Sequence, residues 1–455
     1  MIVVRKRLVF WLIKAYLRKW GKIIFFSFVA GLVGFFFFVF FSSKLTHFFP
    51  QKERIGLVGA YTMTNLPRTI SAKLSRGLTK VEENGQVKPD LASFWEIENK
   101  GTKYIFHLKK GIRFSNGKEL TTDHLTYSFK DVTIAKPDKY TIEFSLKSPY
   151  SPFLVTLSRP IFVNGLEGLG SHVIIDLKLN GDNITSLTLA HIHNKRKQIV
   201  YLFYPTQDSL KTAFLLGETT QVQGLNDTTL GQIDLSKHKN VKTSVAINYR
   251  QLATVFYNTK DQTVSDNKLR KALTYALPDS FQGGERAYLP YAKKSMYFNS
   301  DALPGGQDLA HAALLINAIL EDTSQKSIPK LKLTTLSRYK KLAEDLKKTW
   351  EKIGIEIVVE EVEVRPDIFQ MYLGDFMVPQ DPDQYILWHS KSNSNITKFD
   401  SKRIDKLLED GRSTIDTNER KKIYAEFQKY LNDDALIDTP ASFLYFPYSY
   451  TIKRR

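Results

Sequence analysis

Two histidines are spaced as a metal site would need them. His191 and His193 are two residues apart, a spacing that places both imidazoles on the same face of a strand, where they can bind a metal ion. The basic run Lys195-Arg196-Lys197 follows directly, and its positive charge disfavours a bound cation. No carboxylate is close by in the sequence. We therefore interpret them as surface histidines and expect no metal site.

Two other short motifs, a glycine-rich stretch and an adjacent His-Ser pair, lack the neighbouring residues that a binding loop or a catalytic site requires. The glycines at positions 165, 168 and 170 show the reverse of the spacing in a dinucleotide-binding loop, and no acidic residue trails an opening helix. His389 and Ser390 are adjacent but lie outside any nucleophile-elbow pattern.

The chain has no cysteine, which excludes disulfides, thiolate ligands, a cysteine nucleophile and a lipid-modified cysteine. The sequence predicts neither an enzyme nor a cofactor.

The clearest pattern of secondary structure in the sequence lies between residues 102 and 129. Alternation along one face of a strand is shown by Thr102, Tyr104, Phe106 and Leu108. Asn116-Gly117 supplies a turn that tolerates positive φ. Thr121 or Thr122 caps a predicted helix in which Leu125 and Phe129 are four residues apart. This segment is predicted to be strand, turn and helix.

The second half of the chain alternates helical and strand patterns. The predicted elements are a helix capped by Ser265 or Asp266 and stopped by Pro278, a helix at 308–321, a strand at 331–336, a helix at 339–353, a strand at 355–363, and two final amphipathic helices around Leu407 and Phe427. Alternation of this kind predicts a parallel sheet with right-handed crossovers.

The order and spacing of these residues resemble the family 5 extracellular solute-binding proteins, the oligopeptide- and dipeptide-binding components of ABC importers. The first matching segment contains Phe106, Leu108, Gly111, Phe114, Ser115, Gly117, Leu120, Thr121, Asp123, Ser128 and Phe129. A second contains Phe256, Asn258, Thr259, Asp266, Arg270, Ala272, Leu273, Ala276 and Asp279. The closing helices match through Asp405, Leu407, Leu408, Arg412, Arg420, Tyr424 and Gln428, and Gly217 matches as a helix C-cap.

The resemblance implies an α/β fold that is two-lobed and periplasmic-binding-protein-like, of the class II, three-domain type. The first lobe would comprise residues 55–77, 161–245 and 434–455, and the second lobe residues 246–433. A β-rich insert would occupy residues 78–160. Only ten residues separate Phe129 from Tyr140, which implies that this insert is shortened relative to the family.

The resemblance also implies where a ligand binds. The family carries an Asp-Pro pair near its cleft, here Asp381-Pro382-Asp383, followed by an aromatic stretch with Tyr385 and Trp388. Trp388 would form a flat wall for a ligand side chain, or alternatively a core tryptophan. Asp383 is interpreted as a turn or capping group. The full set of candidate ligand-binding residues is Asn65, Tyr257, Asn258, Asp375, Asp381, Tyr385 and Trp388.

One position departs from the pattern of peptide-binding relatives. In those relatives an aspartate three residues before the Asp-Pro pair holds the α-amino group of the peptide, and Val378 occupies that position here. Asp375 or Asp381 is the candidate replacement. The ligand is therefore expected to be a peptide or another small molecule, bound without the usual amine contact.

The N-terminus predicts attachment to a membrane. Residues 23–41 are uncharged and include nine phenylalanines, and a helix of this length spans about 29 Å. Residues 1–22 hold seven basic and no acidic side chains, which predicts a cytoplasmic N-terminus and a single-pass topology. Residues 42–54 are predicted to be a linker. A cleaved signal peptide is the alternative, although no small-x-small cleavage site follows.

Charge does not indicate nucleic-acid binding. The formal net charge is +18, but seven of these charges flank the apolar segment and the rest are scattered. The sequence therefore predicts a membrane-anchored extracytoplasmic binding protein that delivers its ligand to the permease of an ABC transporter. The alternatives are an anchored sensor of the same fold that is not coupled to import and, with less support, an anchored hydrolase.

Overall fold

The computed structural model describes residues 6–45, 50–324, 326–432 and 439–455. Some sequence-based predictions fall outside this range: the start of the basic segment at residues 1–5, part of the predicted linker at 46–49, and the predicted boundary between the second lobe and the returning C-terminal segment at 433–438.

The N-terminal helix is longer than the predicted membrane segment. Helix α1 (Lys6–Leu45) runs through much of the basic segment and beyond residue 41. Its stretch Phe10–Phe40 is long and apolar enough to cross a membrane, and none of its most apolar window is buried against the rest of the protein. A membrane anchor and a signal sequence share these properties.

The chain next forms the elements of the predicted start of lobe I and then those of the predicted β-rich insert. The elements are β1 (Gln51–Val58), α2 (Arg68–Leu74), β2 (Thr79–Val81), β3 (Val87–Pro89), β4 (Ala92–Glu98), β5 (Lys103–Leu108), β6 (Val132–Asp138), β7 (Thr141–Leu146) and α3 (Phe153–Thr156). An antiparallel sheet in the order β4-β5-β7-β6 forms the insert. The predicted alternation in β5 is confirmed, since Tyr104, Phe106 and Leu108 are buried in its core.

The helix predicted after Thr121 is wrong. Only a 3-10 turn forms at Thr122–His124, and the next residue has an extended backbone. Thr122 donates instead to the β6–β7 hairpin, from its N to Lys139 O at 3.0 Å and from its Oγ1 to Asp138 O at 2.9 Å. The apolar residues that follow, Leu125, Tyr127 and Phe129, pack into the insert core with a period of two. Tertiary packing therefore outweighs the local capping signal.

Lobe I continues with β8 (His172–Asn180), β9 (Asn183–His191), β10 (Asn194–Tyr204), α4 (Gln207–Leu216), β11 (Gln221–Leu225), β12 (Thr229–Leu230), β13 (Ile233–Asp234) and β14 (Val241–Ile247). Strand β1 pairs in parallel with β10 and β11, while β8, β9 and β10 form an antiparallel meander. The predicted helix C-cap is confirmed: Gly217 has φ +82° and a left-handed backbone.

Lobe II consists of β15 (Gln251–Tyr257), α5 (Asn267–Tyr275), β16 (Gly284–Arg286), α6 (Leu309–Thr323), β17 (Leu331–Leu336), α7 (Lys340–Glu351), β18 (Ile357–Val362), β19 (Met371–Met377), α8 (Tyr385–Trp388), α9 (Lys402–Ser413) and α10 (Thr417–Asn432). The predicted helices and strands of this half are confirmed, and Asp266 caps α5. The parallel sheet is only partly confirmed. Strand β17 is parallel to β18 and β19, but β15 runs antiparallel to β19.

The C-terminal strand connects the two halves. The first part of β20 (Ala441–Arg454) pairs with β15, where Phe256 faces Ala441. Its last part pairs with β11 and β14 of lobe I, where Gln221 faces Lys453. Separate hydrophobic cores fill the insert, lobe I and lobe II. The α/β, two-lobed architecture predicted from the sequence is confirmed.

Candidate ligand-binding cleft

A cleft lies where lobe I, the insert and lobe II meet. It has two adjoining compartments with empty volumes of about 1030 and 1180 Å³, the space including open solvent. Both compartments are lined by Arg68, Arg250, Pro379, Gln380 and Asp381.

The first compartment lies between the β2–β3 turn of the insert and lobe II. Its remaining wall consists of Val81, Glu82, Glu83, Gly85, Ile247, Asn248, Tyr249, Tyr291, Ala292, Lys294, Ser295, Val378 and Pro382. The insert turn is attached to lobe II at this point, because Met296 N donates to Asn84 O at 2.8 Å and Lys294 pairs with Glu83 at 3.0 Å.

The second compartment lies between the end of the insert and helices α8 and α9. Its remaining wall consists of Tyr150, Pro152, Val155, Thr156, Ser158, Arg159, Pro160, Asp383, Ile386 and Arg412. Arg412 connects the two sides. Its Nε and Nη2 donate to Asp383 Oδ2 at 2.9 and 2.8 Å, and its guanidinium lies 3.9 Å from the Tyr385 ring centroid and 5.5 Å from that of Tyr150.

The turn at residues 381–383 is held rigidly by buried partners. Arg420 donates to Asp381 from Nη1 to Oδ2 at 3.0 Å and from Nη2 to Oδ1 at 2.5 Å. Burial opposes the charge of Arg420, but Coulomb attraction by Asp381 and the hydrogen bonds that Arg420 donates to it outweigh this effect and raise the pKa of Arg420. Tyr291 Oη donates to Pro382 O at 2.8 Å, and Gln384 Nε2 donates to Pro290 O at 2.9 Å. The turn is thereby a fixed floor between the compartments.

Local structure also brings Arg250 to the cleft. The turn before β15 is closed by the Asn248 side chain, whose Oδ1 accepts a hydrogen bond from Arg250 N at 3.1 Å. Val378 N donates to Arg250 O at 2.9 Å, which fixes this turn against the segment leading to Asp381.

Arg68 is positioned by the packing of α2, of which it is the first residue. The other end of α2 rests against glycines that admit no side chain, because a Cβ at Gly168 or Gly170 would lie 2.2 Å from Leu74 O or 2.1 Å from Lys73 O. These glycines therefore serve close backbone packing.

Three of the predicted ligand-binding residues lie in the hydrophobic core of lobe II or at its edge. Trp388 is 1% exposed, donates from Nε1 to Gln384 Oε1 at 2.7 Å and packs edge-on against Phe376 and Phe443. Tyr257 is fully buried with its hydroxyl 2.7 Å from Ser442 Oγ, and burial raises its pKa to about 12.

Asn258 donates from Nδ2 to Phe369 O at 3.0 Å and is also buried. Together these positions favour the core alternative for Trp388 and packing roles for Tyr257 and Asn258.

The other four predicted residues differ in their relation to the cleft. Asp381 lines both compartments, although Arg420 occupies its carboxylate. Tyr385 stacks on Arg412, a lining residue. Asp375 pairs with Arg338 at 2.5 Å and lies outside the lining set, as does the exposed Asn65. A ligand-binding role for these four residues stays a prediction.

The structure shows which groups contact the histidines that the sequence analysis singled out. Ser390 Oγ donates to Asp405, whereas His389 Nε2 lies 3.1 Å from Glu409 Oε1, so Ser390 and His389 do not form a nucleophile–base pair. The ring of His191 lies 5.2 Å, centroid to centroid, from that of His172 and 5.7 Å from that of His193. Over the described ranges, no group of three or more His, Cys, Asp or Glu residues has the geometry to hold a metal ion.

Sequence reasoning missed most of the cleft lining, including Arg68, Arg250, Tyr291 and Gln380. They come from loops and element ends that are distant in sequence, and no periodic pattern marks them. A signal was available for the floor of the cleft, since the closing-helix pattern already contained the two arginines that pair with Asp381 and Asp383.

Known proteins resemble this chain over most of its length. The family model described as bacterial extracellular solute-binding proteins, family 5 Middle, matches residues 86–167 and 192–398. The oligopeptide-binding protein AppA of Bacillus subtilis is 26% identical over 459 residues, covering 85% of this chain and 83% of AppA.

Solved structures share the fold. The structure of Bacillus subtilis AppA with a nonapeptide has a TM-score of 0.66 at 19% identity, covering 89% of this chain and 95% of that one. NikZ from Campylobacter jejuni in complex with Ni(L-His) has a TM-score of 0.70 at 18% identity, covering 89% and 94%.

Proposed function

Because the chain belongs to the family 5 bacterial extracellular solute-binding proteins, we propose that it captures a peptide-like ligand between its lobes and delivers it to an ABC transporter permease. The cleft is the observation that carries this proposal, since lobe I, the insert and lobe II all contribute to its walls. A ligand that contacts several of these bodies at once favours the closed arrangement, and the closed form is what a permease would recognise.

A peptide-like ligand suits the cleft for two reasons. The segment from Val378 to Gln384 has no regular secondary structure, so those of its backbone groups that the protein does not already bond are candidates for hydrogen bonds to an extended ligand. The compartments are wide enough to hold water beside varied side chains. Names of relatives also support this class: AppA is an oligopeptide-binding protein.

We further propose that α1 is retained as a single-pass anchor with its N-terminus in the cytoplasm and the lobes outside. Support comes from the basic residues at its start and from its unburied apolar surface. Tethering would keep the binding protein at high local concentration near its permease.

The division of the chain into lobe I at 55–77, 161–245 and 434–455, insert at 78–160 and lobe II at 246–433 is likewise proposed. Since β20 pairs with strands on both sides, its first part would act as a shared crossover segment.

Native mass spectrometry of the full chain in detergent micelles tests ligand capture. The proposal predicts a co-purifying solute, or a mass shift after incubation with a defined mixture of tri- to octapeptides. Absence of both would contradict it. Uptake of a radiolabelled peptide that binds, measured in cells with and without the gene, then separates an importer from a sensor. Recovery of the bound peptides in intact form argues against a hydrolase.

A further inference from the structure

The cleft contains two guanidinium groups on facing walls. Arg68 begins α2 of lobe I, and Arg250 lies in the turn before β15 of lobe II. Both side chains line both compartments, so they lie at the junction through which an extended ligand would pass.

The acidic residues of the cleft are each paired with another base. Asp381 pairs with Arg420 and Asp383 with Arg412. In the insert turn, Glu82 pairs with Lys80 at 2.9 Å and Lys88 at 3.8 Å, and Glu83 pairs with Lys294 at 3.0 Å. The carboxylates that line the cleft are thus neutralised by groups other than Arg68 and Arg250.

Arg68 and Arg250 have no acidic partner within the part of the chain that the structure describes. Arg68 Nη1 donates to the amide oxygen of Gln380, which is uncharged and belongs to the opposite lobe. Arg159, exposed on the rim of the second compartment, also has no acidic partner there. The cleft therefore carries excess positive charge, although the nearby Arg412 and Arg420 each form an ion pair with an aspartate.

The two guanidinium groups affect each other electrostatically. Both side chains are exposed to solvent within the cleft, but their partial desolvation by nearby protein atoms lowers the pKa of Arg68 and of Arg250, and the positive charge of Arg68 lowers that of Arg250 further. Both groups remain charged at neutral pH because an arginine titrates far above it. An anion placed between them would relieve this repulsion and form charge-assisted hydrogen bonds with both guanidinium groups.

We propose that the cleft selects ligands that carry an anionic group, a carboxylate or a phosphate, and that Arg68 and Arg250 hold this group from opposite lobes. This inference rests on the proposed function and specifies its ligand class. Arginine presents a planar fork of donors that matches both anions, and one donor of Arg68 is already used by Gln380.

The test uses the full chain in detergent micelles and three probes without a free amine. They are N-acetyl-tetraalanine with a free carboxylate, the same peptide as its C-terminal amide, and N-acetyl-Ala-phosphoserine-Ala-amide. Affinities are measured by isothermal titration calorimetry. We expect at least one charged probe to bind about tenfold or more tightly than the neutral amide. Preference for the carboxylate or for the phosphoserine probe, together with competition by inorganic phosphate, distinguishes the two sources of the anion.

Matched variants assign the effect to the two arginines. Arg68→Gln and Arg250→Gln should each weaken binding of the preferred charged probe about tenfold and leave the neutral amide unchanged. The control is Arg403→Gln on α9, which breaks an exposed ion pair with Glu426 of α10 and should change neither affinity. Unchanged melting temperatures would confirm that the variants are folded.

The inference is overturned if the neutral amide binds as tightly as both charged probes, or if neither variant weakens the charged probe. A neutral or purely cationic co-purifying solute would also overturn it while leaving the proposed function intact. Failure of every probe and of the peptide mixture, with no co-purifying solute, would contradict the proposed function itself, and the inference would fail with it.

Discussion

Arg420 and Asp381 form a two-point ion pair in which both side chains are more than nine-tenths buried. Arg420 comes from α10, and Asp381 from the turn on the cleft floor. Arg420 Nε also donates to Gly411 O at 2.7 Å, so the same side chain holds the end of α9. The pair therefore connects the cleft floor to the two C-terminal helices.

Asp381→Asn should destabilise the fold. The substitution leaves the buried charge of Arg420 without its counter-ion, and losing one partner of a buried pair costs about 3–5 kcal/mol. Urea denaturation measures the free energy of unfolding. The matched control is Asp410→Asn, which breaks the exposed Lys406–Asp410 pair on α9 and should cost no more than about 1 kcal/mol. Equal stability of the two variants, with ligand binding lost only in Asp381→Asn, would instead assign Asp381 to ligand recognition.

Trp388→Ala should lower stability rather than ligand affinity. Its ring is 1% exposed among aromatic residues, and truncation of a buried tryptophan costs about 3–5 kcal/mol. Trp388→Phe keeps most of the packing and loses only the hydrogen bond to Gln384, so it should be milder. Thermal unfolding and peptide titration are compared for both variants. Reduced affinity at an unchanged melting temperature would contradict the packing role.

Arg412→Lys should loosen the insert from lobe II. A lysine keeps the charge but loses both the paired hydrogen bonds to Asp383 and the stacking on Tyr385 and Tyr150. Hydrogen exchange followed by mass spectrometry should show faster exchange in residues 149–154 and 383–388. Arg403→Lys serves as the control because its partner Glu426 is exposed. Faster exchange in both variants, or in neither, would argue against Arg412 as the connection.

Deletion of residues 1–49 should release the protein from membranes without changing the stability of the lobes. The apolar window of α1 buries no surface against the rest of the chain, so its loss removes no packing. Cell fractionation reports the location, and differential scanning fluorimetry reports the melting temperature. N-terminal sequencing of the full-length protein from cells separates an anchor from a cleaved signal: a mature chain that starts after residue 41 would contradict the anchor.

Several elements could be predicted from the sequence because their signals are local. The helix with Leu346 and Trp350 on its buried stripe ends as predicted, since Gly354 adopts φ +81°. The 331–336 strand has the bounds predicted from its pattern. Periodicity and capping depend on neighbours within a few residues, which the sequence displays directly.

The helix predicted after Thr121 is wrong because that prediction used only local signals. Its capping signal was real, since Thr121 and His124 do form the reciprocal cap. Tyr127 and Phe129, which follow the cap, pack against Phe144 of the insert sheet instead of continuing a helix. Phe144 is too distant in sequence for a local pattern to indicate this contact.

What the sequence by itself determined is the family, the lobed α/β architecture, the apolar N-terminal helix and the importance of the Asp-Pro-Asp turn. Only the tertiary structure decided what each side chain contacts. It buried Trp388 and Tyr257, paired Asp381 and Asp383 with arginines about 30 to 40 positions away, and brought Arg68 to the same cleft as Arg250. The physical reason is that charge pairing and burial depend on distances in space, which arise when remote segments pack together.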